Sequence, residues 1–137
     1  MSELKVDTLT GKTTANDITV TVGATATQSL EQGLAKAWAT HTQSATYTLH
    51  DSLNVSTLTD DGTGKTFYNW TSNLGNALYS ATAGMGEFAV TFRNTPALGI
   101  TSNSSKTTAL IKWESQSTGN GGTDSADNNL TVHGDLA

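Results

Sequence analysis

A chain of 137 residues has room for one compact domain, with or without an appendage. Only 14% of its residues are charged and 35% are hydrophobic, the balance being rich in Thr, Ser, Asn and Gly; this excludes a charge-driven disordered segment and a helix-rich enzyme. The net charge of −5 leaves no basic stripe to neutralise phosphates, so nucleic acid is not an expected partner.

Residues 1 to about 25 alternate briefly, with Leu4 and Val6, then Ile18, Val20 and Val22, around Gly11, Asn16 and Gly23. So few large side chains cannot form a core, and this extended arm is expected to pair with another element or another molecule. Over 26–42, Leu30, Leu34, Ala37 and Trp38 fall at i, i+4, i+7 and i+8, which predicts one short amphipathic α-helix. Thr25 with Gln28, or Ser29 with Gln32, would cap it. Gly33 weakens it by about 1 kcal/mol relative to alanine. Such a helix needs a packing partner: its own sheet, or copies of itself about a symmetry axis.

From residue 45 to 137 strand-like runs alternate with turn clusters. The runs are 46–50, 53–59, 66–71, 77–83, 87–93, 98–101, 108–114 and 129–134. Phe88, Val90 and Phe92 share one face of their run, and Ala109, Ile111 and Trp113 one face of theirs. The expected fold is mainly β: arm, short helix, then an antiparallel β-sandwich or jelly-roll-like domain.

Gly62-Thr63-Gly64-Lys65-Thr66 resembles the end of a phosphate-binding loop, but Thr59 stands where its first glycine belongs. The following Phe67-Tyr68-Asn69-Trp70 has strand character, and Asp60 and Asp61 would repel an anion, so the stretch reads as a hairpin turn. His41, His50 and His133 have no metal-ligand spacing, and no Gly-x-Ser-x-Gly elbow is present. No catalytic residue, metal or cofactor is expected. The Asn-x-Ser/Thr triplets at Asn54, Asn69, Asn103 and Asn129 read as products of a threonine-rich composition. The chain has no cysteine, which excludes disulfides and thiolate zinc sites. It has no apolar run of membrane-spanning length and no signal-peptide core, so a soluble protein without a Sec-type signal is expected. Tyr68 and Trp70 share a strand face. They are read either as core packing or as glycan-binding candidates that stack on sugar rings.

The phrases "ELKVDTLTGKTTANDITVT", "ATQSLEQGLAKAW", "DSLNVSTLTDDGTG" and "NNLTVHGDLA" are similar to those of small virion structural proteins of marine tailed bacteriophages, described as tail-fibre, fibre-like or head-decoration proteins. The resemblance implies that Leu4, Val6 and Leu9 mark an arm anchored on the virion. It also implies a linking helix over Gln32 to Trp38, whose apolar face Leu30 and Leu34 extend; three such helices meeting at an axis would make Leu30, Leu34, Ala37 and Trp38 the oligomerisation face. A homotrimer on capsid or tail would follow, made in the host cytoplasm and displayed on the particle surface, with host-surface glycans among its partners. Residues 66 to 128 have no counterpart in the resemblance. The alternative expectation is a carbohydrate-binding β-sandwich module without catalytic activity.

Overall fold

The computed structural model describes residues 5–10, 18–22, 25–85, 106–115 and 122–137. The runs expected at 87–93 and 98–101, residues 116–121, and Leu4, Gly11, Asn16, Gly23 and Asn103 lie outside the described residues. The chain divides into two compact units, Met1–Leu34 and Ala35–Ala137.

The first unit holds β1 (Thr19–Val22), β2 (Ala26–Ser29) and α1 (Leu30–Gly33). β1 and β2 pair antiparallel, from Thr19 opposite Ser29 to Val22 opposite Ala26. The Leu30 amide donates to the Ile18 carbonyl at 2.7 Å, which ties the single helical turn to the hairpin. The helix expected over 26–42 is therefore reduced to four residues. β-Branched Thr27 pairs in a strand, and the chain from Ala37 onward is also extended.

The second unit is mainly β and antiparallel. One sheet has the order β4 (Thr48–Leu53), β3 (Ala37–Thr42), β9 (Asn128–His133), β7 (Ser80–Met85). The other has the order β5 (Val55–Asp60), β6 (Lys65–Trp70), β8 (Leu110–Glu114). β3 lies between β4 and β9 and hydrogen-bonds to both. Its residues alternate: Ala37, Ala39 and His41 are buried, while Trp38, Thr40 and Thr42 on the opposite face are partly exposed. Those six residues fit a helical period and a period of two alike, and pairing on both edges decides for the strand. The second unit accordingly begins ten residues before the expected boundary at 45, and a fragment starting there would lack a central strand.

β4 passes into β5, and so into the other sheet, through Asn54 alone. Asn54 holds the left-handed region at φ 57°, which asparagine tolerates better than most residues. Its Oδ1 accepts from the Ser72 amide at 2.7 Å and its Nδ2 donates to the Ser72 carbonyl at 3.0 Å, fixing the corner.

The core is one cluster drawn from both sheets. Ala37, Ala39, Leu130 and Val132 come from the first; Val55, Tyr68, Trp70, Ile111 and Trp113 come from the second; Leu74 and Tyr79 come from the connection before β7. Trp70 meets Tyr79 edge-on at 6.3 Å. The Lys106 ammonium lies 5.4 Å from the Tyr79 ring centre and donates to the Tyr79 carbonyl.

Candidate functional site

Several apolar side chains of the first unit are exposed. Among its residues whose exposure is described, none is buried. Val6, Leu9, Val20 and Leu34 are 54%, 50%, 41% and 55% exposed. Val20, Leu30, Gly33 and Leu34, with Gln28 and Ser29, line an open groove of about 240 Å³. The groove exists because α1 turns Leu30 and Leu34 back over the β1–β2 hairpin. A two-stranded hairpin is at best marginally stable in water, so such a unit needs apolar cover to hold one conformation.

The four residues expected to share one oligomerisation face are divided. Leu30 and Leu34 belong to the first unit, whereas Ala37 and Trp38 lie on opposite faces of β3 in the second. Ala37 is 0% exposed and cannot meet a neighbouring molecule. Trp38 stands on the outer face, in register with Leu53 and Thr131. The expected glycan platform is also displaced: Tyr68 and Trp70 do share a face, but it is the core face. Phe67, on the outer face of β6, is crossed by Lys112, whose ammonium lies 5.0 Å from the ring centre and pairs with Asp61.

The glycine-rich stretch after Asp61 is a turn, as its sequence implies. Gly62 and Gly64 have φ of 103° and 74°, and the Lys65 amide donates to the Gly62 carbonyl at 2.8 Å. The Gly64 amide donates to Asp124 Oδ1 at 2.7 Å, so the donor that would face a phosphate already holds a carboxylate of the same chain.

Sequence reasoning missed a buried polar cluster at one end of the second unit. The Tyr68 hydroxyl lies 3.1 Å from His41 Nδ1, and Thr66 Oγ1 lies 3.4 Å from His41 Nε2. Gln43 Nε2 donates to Thr66 Oγ1 at 2.9 Å, and the Tyr47 hydroxyl also bonds that oxygen. Gln43 Oε1 accepts from Ser115 Oγ at 3.0 Å and from the Ser125 amide at 3.3 Å. Asn128 Nδ2 donates to the carbonyls of Ser125 and His41. One glutamine thus links the end of β3, the start of β6, the end of β8 and the approach to β9. Burial pushes the His41 imidazole down to about 4; nearby His50 adds to the shift and Asp127 opposes it. Burial raises the phenols of Tyr68 and Tyr47, and takes that of Tyr79 to about 12. With His41 0% exposed and held neutral, this cluster organises the domain interior and has no open face for a substrate.

His50 Nε2 lies 2.8 Å from Thr42 Oγ1 on the surface, and His133 is exposed at the end of β9, so the three histidines are not brought together. Among the described residues no group of three metal-ligating side chains forms, and no helix is long and apolar enough to cross a membrane. Comparison with protein-family models, with curated proteins and with solved structures gives no match.

Proposed function

We propose that the chain is a bacteriophage virion structural protein. In this reading it is a small, non-catalytic homotrimeric fibre or capsid-decoration subunit. The first unit attaches and assembles it, and the second is an antiparallel β-sandwich displayed on the particle surface. The observation that carries this reading is the split between a unit with no buried residue among those of described exposure and a unit that contains the described core. Assembly supplies the cover that the first unit lacks, and the sequence resemblance to phage fibre and decoration proteins supplies the setting. Val6, Leu9, Val20, Leu30 and Leu34 take the assembly role; Ala37, Tyr68 and Trp70 have no part in it because they are buried.

Light scattering on the full chain tests the reading. The expected mass is three times the 14.3 kDa of one chain, falling to one chain in Leu34→Asp with the β signal in circular dichroism unchanged. A wild-type chain that stays monomeric at high micromolar concentration would remove the trimer.

A further inference from the structure

His41 is fully buried between the two sheets, and the hydrogens around it can be counted. Thr66 Oγ1 has one hydrogen and two lone pairs. Gln43 Nε2 donates to one lone pair at 2.9 Å. The Tyr47 hydroxyl also reaches the Lys65 carbonyl at 3.4 Å, and a carbonyl only accepts. With Tyr47 donating to that carbonyl, its oxygen accepts the hydrogen of Thr66. The second lone pair of Thr66 then takes a hydrogen from His41 Nε2. His41 Nδ1 is left with a lone pair, to which the Tyr68 hydroxyl donates. Each hydroxyl and ring hydrogen of this hydrogen-bonded chain is then used once, which assigns the ring as the neutral Nε2–H tautomer.

This arrangement has no place for another proton. Protonating Nδ1 sets its hydrogen against that of Tyr68, and if Tyr68 turns, its hydrogen loses its acceptor in a buried site. The surrounding described groups give little relief. Tyr47 from the loop after β3 and Tyr68 from β6 are neutral phenols. Trp113 from β8 presents an indole edge-on at 6.0 Å. His50 from β4 acts on the ring as a like charge, and Asp127 before β9 is exposed and offers only a screened attraction.

We propose that the His41 cluster is an acid-sensitive latch. With one proton on its ring it clamps β3 to β6 and, through Gln43, holds the segments 43–47 and 122–128 closed over that end of the domain. A second proton drives the ring from its partners and releases those segments. The device goes beyond the virion reading and is independent of it.

The sign follows from linkage. The folded imidazole sits at about 4 against 6.5 when unfolded, so its stabilising contribution is complete above pH 6.5 and is lost as pH falls toward 4. From this residue alone the folding equilibrium constant drops about 20-fold between pH 7 and pH 5.

Urea unfolding of the full chain at the two pH values measures it. His41→Gln keeps one donor and one acceptor but cannot titrate, and should lose that 20-fold component. Should His41→Gln fail to fold, Tyr68→Phe and the wild type carry the test. Nitrogen-15 NMR of the wild-type imidazole should show the Nε2–H tautomer persisting at pH 5. In Tyr68→Phe the neutral ring loses its donor, so its titration should move up and the pH dependence should shrink. Hydrogen exchange locates the opening: on acidification the Gln43 and Ser115 amides should lose protection before those of Trp70 and Leu74 at the other end. A ring that titrates near 6.5, or loss of protection at both ends together, would overturn the latch.

Discussion

The two units of this chain solve opposite problems. Ala35–Ala137 places Trp113, Tyr68, Ile111, Leu74, Leu130 and Val132 almost wholly out of water, and ties its loops with a buried polar cluster. Met1–Leu34 leaves half or more of the area of Val6, Leu9 and Leu34 in water, and none of its residues of described exposure is fully inside. A side chain stabilises the free monomer only to the extent that folding removes it from water. The same kind of residue, leucine, is therefore placed differently in the two units: Leu130 holds a domain together, and Leu34 stands exposed, where the proposed assembly would cover it.

Paired substitutions put that comparison at risk, and they carry the largest expected effect. Leu130→Ala should cost about 2–5 kcal/mol in urea unfolding, because it opens a cavity in a packed core. Leu34→Ala should change unfolding of the monomer by no more than about 0.5 kcal/mol, since little area is lost, yet should weaken self-association. Equal losses from the two substitutions would dissolve the distinction between the units. A smaller effect separates two glycines in the turn between β5 and β6. A Cβ on Gly64 would sit 2.5 Å from the Ser115 carbonyl oxygen and 2.6 Å from the Thr123 nitrogen, at positive φ. Gly64→Ala should therefore cost roughly 2–4 kcal/mol from strain and overpacking together. Gly62→Ala meets nothing within 4 Å and should cost only the backbone term, about 1–2 kcal/mol. Thermal melts of the two variants side by side read the difference.

Much of the second unit is legible in the sequence. β4 to β9 fall within a few residues of the runs at 46–50, 53–59, 66–71, 77–83, 108–114 and 129–134. Alternation of Ile111 with Trp113 and of Tyr68 with Trp70 marks buried faces correctly, because a strand with one buried face has a period of two. The turn at Gly62 and Gly64 is legible because glycine is the residue that takes positive φ without strain. β3 is the notable miss. Alanines at 37 and 39 satisfy either period, and what makes the segment a strand is pairing of His41 with Asn128, 87 positions away. The polar cluster is hidden for the same reason. His41, Gln43, Thr66, Ser115 and Asn128 are each ordinary in sequence, and only long-range strand pairing gathers them. A buried histidine beside a buried glutamine on an alternating run was the one signal available. It requires β3 to be recognised as a strand first. The first unit was illegible in its helix, since Leu30 and Leu34 mark a helical period that a single turn already satisfies.

The smallest expected effect tests how finely the second unit is tuned. Ala45 sits in the loop between β3 and β4 at φ 62°, exposed, next to the segment that Gln43 anchors. An L-residue with a Cβ pays about 1–2 kcal/mol in this region of backbone space. Glycine removes that strain but brings roughly 0.5–1 kcal/mol of extra unfolded-state entropy. Ala45→Gly should thus stabilise the domain by about 0.5 kcal/mol, seen as a small rise in the urea midpoint with an unchanged slope. The Gln43 and Ser44 amides, which both donate to the Ser125 carbonyl, fix the chain on one side of Ala45. If Ala45→Gly destabilises instead, the alanine is needed to keep this loop pre-set for closing over Gln43. The strain would then belong to the same device that holds His41 in place.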